Sequence, residues 1–137
     1  MAKTLKLQVI TPEGTVYSDD VEMVSLQSSQ GQIGILPDHV RLMTLMVPGE
    51  MMVRKDGQDH FLATGRGLVE VTGHSVSIAT DMAIAAETID EARAEEARQR
   101  AEARLRDKLA DEDVASVNAA LARSLAQLKV KRRHRAV

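Results

Sequence analysis

All eight Gly and all three Pro residues of this 137-residue chain lie at or before Gly73, so positions 74–137 contain neither. Gly and Pro punctuate strand-and-turn structure, and both are poor in helix interiors, Gly for its backbone entropy and Pro for its missing N–H. The chain is therefore expected to change architecture part-way along. A turn-rich β part is assigned to residues 1–86 and an Ala-, Glu- and Arg-rich helical part to residues 87–137. The length suits a small domain carrying an appendage with little core of its own.

Hydrophobic residues make up 44 % and charged residues 28 %, the proportions of a folded protein. Tyr17 and Phe61 are the only aromatics. The core must be built from Val, Ile, Leu and Met, and base stacking on aromatic rings is excluded as the chain's mode of action. Residues 1–86 carry 6 basic and 10 acidic side chains, residues 87–137 carry 12 and 10, and the cations crowd at Lys129, Lys131, Arg132, Arg133 and Arg135. Such a tail suits nucleic acid, anionic lipid or an acidic protein surface, or is simply solvated. The absence of Cys rules out disulfides, thiolate metal sites and thiol catalysis. Met1–Lys6 leads straight into an alternating strand without an apolar leader, and no run approaches a membrane span. A soluble, cytosolic protein is expected.

Leu5, Leu7 and Val9 alternate with Lys6 and Gln8, the period of a half-buried strand, which Pro12-Glu13-Gly14 ends. Further strands are read at 15–17, 21–28, 33–36, 41–47, 51–55, 58–63, 68–72 and 75–80. Pro48-Gly49 suits a type II turn, Asp56-Gly57 a tight hairpin, and Gly73-His74 a type II′ turn. Many short strands with frequent turns point to an antiparallel β-sandwich or barrel.

From Glu87 the period becomes helical. Thr88 with Glu91 reads as a capping box opening the first helix, with Glu96–Arg100 and Glu102–Arg106 as exposed ion pairs. Asp111-Glu112-Asp113 interrupts the pattern, and Asp113 reads as the N-cap of a second helix. There Val114, Val117, Leu121, Leu125 and Leu128 form one apolar stripe. Two such helices joined by a polar turn make an antiparallel hairpin, so the fold class is α+β: a sandwich followed by a helical hairpin. The first helix contributes mainly Ala94, Ala97 and Ala101 to the seam, with Leu105 and Leu109 as its large residues. A buried methyl contributes about 0.8 kcal/mol against roughly 1.5–3 kcal/mol for Leu, so the hairpin is expected to be loosely held and detachable.

The most specific string is Gly31-Gln32-Ile33-Gly34-Ile35-Leu36-Pro37-Asp38-His39. By itself it describes a tight sandwich corner. Asp38 beside His39 is weak evidence for acid–base catalysis, because no nucleophile accompanies them. Gly65-Arg66-Gly67 lacks the pattern of a dinucleotide loop, and no phosphate-loop motif is present. His39, His60, His74 and His134 lack paired ligand spacing, so no metal site is expected. The Met43, Met46, Met51 and Met52 cluster reads as core filler or as an adaptable contact surface.

With these residues in hand, the whole chain resembles the epsilon subunit family of the bacterial F-type ATP synthase. The resemblance rests on Gly31–His39, the Pro48-Gly49 turn, Gly65-Arg-Gly-Leu-Val-Glu-Val71, and Ile89-Asp90-Glu-Ala-Arg93-Ala94, in that order. It implies a non-catalytic rotor component of the central stalk, without a cofactor, on the cytoplasmic face of the bacterial inner membrane. Its partners would be the gamma subunit and the c-ring, with no nucleic acid and no membrane contact outside the complex. Gly31, Gln32, Asp38 and His39 would face the c-ring or gamma. In the family the hairpin folds down on the sandwich or extends along gamma to the alpha and beta subunits, where basic residues impede ATP hydrolysis. Arg123, Lys129, Lys131, Arg132, Arg133 and Arg135 are the corresponding candidates here. In some relatives the folded-down form binds ATP through a motif matched by Ile89, Asp90, Arg93 and Ala94 plus two arginines of the second helix. Arg123 matches one, but Ser116 stands at the other place, so weak or no ATP binding is expected. The alternative reading is a free-standing β-sandwich that binds a small ligand, with the helices as an oligomerisation arm.

Overall fold

The computed structural model describes residues 3–107 and 111–134, with the side chains of 111 and 112 also outside the description. Ten strands come first: β1 Leu5–Thr11, β2 Gly14–Val21, β3 Met23–Ser28, β4 Gly31–Ile35, β5 Leu42–Met46, β6 Gly49–Lys55, β7 Gln58–Thr64, β8 Gly67–Val71, β9 Ser75–Thr80 and β10 Ala83–Ala85. A single 3₁₀ turn, Ala86–Thr88, leads to α1 Glu91–Arg106 and α2 Asp111–Arg133.

The strands follow one hydrogen-bonded path, β10-β7-β6-β3-β5-β8-β9-β1-β2, with β4 on the other edge of β3. The path folds at β3: Met23–Ser25 pair with β6, whereas Ser28 pairs with Met46 of β5. This makes two layers, β4-β3-β6-β7-β10 and β5-β8-β9-β1-β2. Between them lie Leu7, Val9, Val69 and Ile78 from one layer and Leu26, Ile35, Met51 and Val53 from the other, each 1 % exposed or less. Alternation does the sorting, as in β1, where Leu5, Leu7 and Val9 point inward and Lys6 and Ile10 outward. An ion pair between Lys55 and Asp19 ties β6 to β2 across the open side.

One pairing departs from the expected antiparallel pattern. Lys6–Ile10 of β1 run parallel to Ser75–Ala79 of β9. Two strands so far apart in sequence share no hairpin turn, so nothing local sets their relative direction. Among the turns, Asp56 (φ 52°) and Gly57 (φ 75°) are both left-handed, as a two-residue hairpin requires, with Lys55 opposite Gln58. Gly49 and Gly73 are not left-handed, so the type II and type II′ turns are corrected. Gly49 already opens β6 opposite Thr64. At 72–75 the Thr72 hydroxyl accepts from the backbone N–H groups of His74 and Ser75, at 3.2 and 3.0 Å, so the Thr side chain and not the Gly sets the turn.

The cap of α1 is also corrected. Thr88 Oγ1 donates to the Ala85 carbonyl at 3.0 Å inside the 3₁₀ turn, and Asp90 Oδ1 accepts from the Arg93 N–H at 3.1 Å. Asp90 is therefore the N-cap. Asp113 lies inside α2 and does not cap it. On α1 the ion pairs run through Arg98, which binds both Glu95 and Glu102, in place of the expected Glu96–Arg100 and Glu102–Arg106 pairs. One guanidinium fork reaches a carboxylate on the turn to either side.

Helix α2 lies between α1 and the β6–β7 face. At about 100° per residue, Ala126 and Val130 point roughly opposite to Val117, Ser124 and Leu128. All five are buried. Ala126 and Val130 meet Phe61, Ala63, Met82, Ala86 and Ile89 in a second small cluster. The expected single stripe is thus replaced by two opposed faces, and Leu125, which falls between them, is 47 % exposed. On α1, Ala94 and Ala101 are buried and Leu105 is half-buried, while Leu109 lies outside the described residues.

Candidate functional sites: two loop ends, an apolar face and a helical clasp

The string 31–39 is stretched along β4 rather than gathered at one corner. Gly31 (φ 115°) lies at the β3–β4 turn, where the Ser28 hydroxyl donates to its carbonyl at 2.7 Å. The exposed Gln32 donates from Nε2 to Ser25 Oγ at 3.0 Å. Asp38 and His39 lie beyond the far end of the strand. Asp38 adopts φ 68°, its N–H reaches the Gly73 carbonyl at 3.0 Å, and its carboxylate pairs with Lys3 at 2.9 Å. That hydrogen bond and charge hold the Asp38 carboxyl below the ordinary carboxylate range and raise Lys3. His39 Nδ1 contacts the Val40 carbonyl at 2.7 Å. Asp38 and His39 therefore serve different partners. Flanking them, Leu36 and Val40 are 55 % and 76 % exposed.

A surface that sequence reasoning did not single out lies on the outer face of the second layer. Leu45 sits opposite Leu68, Leu68 opposite Ala79, and Ala79 opposite Ile10, a row across four strands. Leu45 and Leu68 are 59 % and 44 % exposed, and Met43, Val16 and Ile10 beside them are also exposed. The signal was present in Leu42-Met43-Thr44-Leu45-Met46, where apolar residues fall on both faces of the strand and only Thr44 is polar. A strand that is apolar on both sides is usually covered on both sides. Phe61-Leu62-Ala63 of β7 shows the same signature, and there α2 supplies the second cover. At the corner of the row, Val47, Arg66, Gly67 and Asp81 help line a depression of about 500 Å³.

Four of the cations of α2 are engaged. Arg123 Nη1 lies 3.2 Å from Asp81 Oδ2, and Lys131 Nζ donates to the Ala86 carbonyl at 3.3 Å. Arg132 binds Glu91 at 2.9 Å and Glu95 at 3.2 Å, which also shows that the two helices run antiparallel. Arg133 binds Glu50 at 3.1 Å. Lys129 is exposed and has no ion pair among the described residues, and Arg135 lies outside them. Glu95 is held below the ordinary carboxylate range, chiefly by its hydrogen bond to Arg98, and Arg132 is raised, chiefly by Glu91.

Ile89, Asp90, Arg93 and Ala94 line one cleft of about 490 Å³ together with Ser124 and Gln127. Arg123 and Ser116 instead line a neighbouring cleft of about 350 Å³, and Asp81 already occupies the Arg123 guanidinium. The structure thus brings the first four residues together and leaves Arg123 apart from them. Among the described residues there is no cluster of His, Asp and Glu suited to a metal, and no helix long and apolar enough to cross a membrane.

Residues 4–86 match the family described as ATP synthase, Delta/Epsilon chain, beta-sandwich domain, and residues 87–132 match ATP synthase, Delta/Epsilon chain, long alpha-helix domain. The ATP synthase epsilon chain of Bacillus licheniformis is 39 % identical over 130 residues, spanning 95 % of this chain and 99 % of that one. That of Bacillus subtilis is 43 % identical over 112 residues, spanning 82 % and 85 %. Among solved structures, a chain of the Euglena gracilis mitochondrial ATP synthase assembly of OSCP, F1 and c-ring shares the fold with a TM-score of 0.74 at 19 % identity, covering 92 % of this chain and 79 % of that one. A chain of the central stalk and c-ring of Tetrahymena thermophila ATP synthase does so with a TM-score of 0.65 at 10 % identity, covering 95 % and 98 %. Matched in both of its parts and over nearly its whole length, the chain belongs to the ATP synthase delta/epsilon chain family and is a non-catalytic subunit of that complex.

Proposed function

We propose that this subunit works in the central stalk, coupling gamma to the c-ring at the cytoplasmic face of a bacterial inner membrane, and that the α1–α2 hairpin regulates ATP hydrolysis. The observation that carries this reading is the uncovered row Leu45–Leu68–Ala79–Ile10. One layer of the sandwich is covered by its own helix and the other is not, so the second apolar face is the docking surface, and gamma is its occupant. Exposed apolar patches rimmed by polar residues mark such interfaces. The polar ends of β4, Gly31 and Gln32 at one and Asp38 and His39 at the other, supply contacts to gamma and the c-ring. Their separation along the strand lets one rigid body meet two neighbours at once.

In this reading residues 1–86 form the rotor-binding unit and residues 87–137 a separable regulatory hairpin. Released from the sandwich, α2 would carry Arg123, Lys129, Lys131, Arg132, Arg133 and Arg135 to acidic segments of the alpha and beta subunits. ATP binds weakly or not at all, since Arg123 is turned to Asp81 and Ser116 brings no charge. Isothermal titration showing micromolar affinity for ATP would refute that point.

The main test is ATP hydrolysis by the reconstituted complex with the full chain and with a chain ending at Glu87, side by side. The shortened chain should be captured by gamma and should relieve inhibition. Self-association of the full chain without capture of gamma would instead favour a free-standing module with an oligomerisation arm.

A further inference from the structure

We infer that Glu50 on β6 is the catch of a charge latch that holds α2 down on the sandwich and keeps the hairpin's cations paired. The inference rests on the reading of the hairpin as a brake and adds how the brake is held off. Glu50 receives two groups from the end of α2: Arg133 Nη1 at 3.1 Å on one carboxylate oxygen and His134 Nε2 at 2.6 Å on the other. The His134 ring also stacks on Phe61 of β7, with centroids 3.8 Å apart and planes 11° from parallel. The helix end is thereby fixed to two adjacent strands by three contacts of different chemistry.

Glu50 stands apart from the other carboxylates that meet α2. Its side chain is 14 % exposed, against 34 % for Asp81, 29 % for Glu91 and 28 % for Glu95. With α2 in place, this enclosed charge requires its two partners, because an unpaired carboxylate out of water is costly. With α2 gone, Glu50 faces water and requires nothing. The carboxylate therefore rewards docking only in the register that delivers Arg133 and His134, and a slip of one helical turn, about 5.4 Å, would forfeit both.

The latch also masks charge. Arg123, Lys131, Arg132 and Arg133, four of the cations assigned to inhibition, are each bonded to the sandwich, the 3₁₀ turn or α1 in the docked hairpin. For each of them a new acidic partner must compete with the oxygen already bound. Release then exchanges one set of oxygen partners for another, and such an exchange is close to balanced, which is the condition for a switch with two comparably populated states.

Hydrogen exchange on the isolated full chain tests the latch directly. Glu50→Gln keeps the shape and removes the charge, and amides of 124–134 should exchange roughly ten- to a hundred-fold faster, the range for losing hydrogen bonds to a charged group, while amides of β1 and β9 keep their rates. Unchanged protection of α2 overturns the proposal. Because Glu50 lies on a sandwich strand, the double variant Arg133→Gln/His134→Gln, altered only at the helix end, must reproduce the effect, and protection unchanged there overturns it equally. Lys129→Gln should leave exchange as it is. If it accelerates exchange as much as Glu50→Gln, general charge and not the catch holds the helix, and the proposal falls. In the reconstituted complex Glu50→Gln should also slow ATP hydrolysis. Faster exchange with unaltered hydrolysis supports the latch and refutes the brake.

Discussion

Val130→Ala probes how the helices are attached. Val130 is 0 % exposed and lies on the sheet-facing side of α2, against Ala63, Met82, Ala86 and Ile89. Its other apolar neighbour on that side, Ala126, offers a single methyl. Truncation to Ala removes two methylene equivalents, about 1.6 kcal/mol at 0.8 kcal/mol each, and leaves a small void, for a total of about 2–3 kcal/mol. If α2 docks on a finished sandwich, that loss falls on docking alone and multiplies the undocked population by about 30 to 150. Trypsin cleaves at the Lys and Arg residues of α2, and at low protease its rate follows the open population. The expected result is cleavage accelerated by that factor, with the urea midpoint of the sandwich, followed by strand circular dichroism, unmoved. A sandwich midpoint that falls by the full 2–3 kcal/mol would refute the reasoning, since helix and sandwich would then share one cooperative core.

Other outcomes follow from the strands. A Cβ on Gly67 would stand 2.4 Å from the Ala79 carbonyl and one on Gly73 would meet nothing within 4 Å, so in urea denaturation Gly67→Ala should cost about 2–3 kcal/mol and Gly73→Ala less than about 0.5 kcal/mol. Leu68→Asp sets a charge in the middle of the exposed row, and should abolish capture of gamma in a pull-down without shifting the sandwich's melting temperature. Asp59 is held below the ordinary carboxylate range by its hydrogen bond to Arg54, as Asp19 is by Lys55. A depressed folded-state value stabilises above the unfolded range near about pH 4 and is lost as pH falls through the lower folded value. The urea midpoint should therefore fall less between pH 5 and pH 2 in Asp59→Asn than in the parent chain.

The strand-and-hairpin plan was legible because it is written in local pattern. Leu5, Leu7 and Val9 announce a half-buried strand, Asp56-Gly57 a tight turn, and the loss of Gly and Pro after residue 73 the change to helix. What escaped was decided at a distance. The parallel neighbours β1 and β9 begin 70 residues apart in sequence, with no turn between them to reveal direction. Thr88 had the right spacing for a cap, yet a 3₁₀ turn claimed its hydroxyl and left the role to Asp90. Leu125 fits a stripe only for a helix with one neighbour, and α2 has two. The grouping of Ile89, Asp90, Arg93 and Ala94 came only with the resemblance to a family motif, and the partners of Arg123 and Arg133 lie 42 and 83 residues away, beyond any local pattern. The row on the outer face left a trace in the apolar residues on both sides of β5, but only the register of four strands shows that Leu45, Leu68, Ala79 and Ile10 stand abreast.

The fold at β3 bears on how load passes through the body. That strand is hydrogen-bonded to members of both layers, so sliding one layer across the other must stretch backbone hydrogen bonds and not merely shear a greasy interior. A body stitched in this way passes on twist with little angular slack. The helices are joined to its flank mainly through side chains, outside that stitching, so the release proposed for them would leave the strands taut.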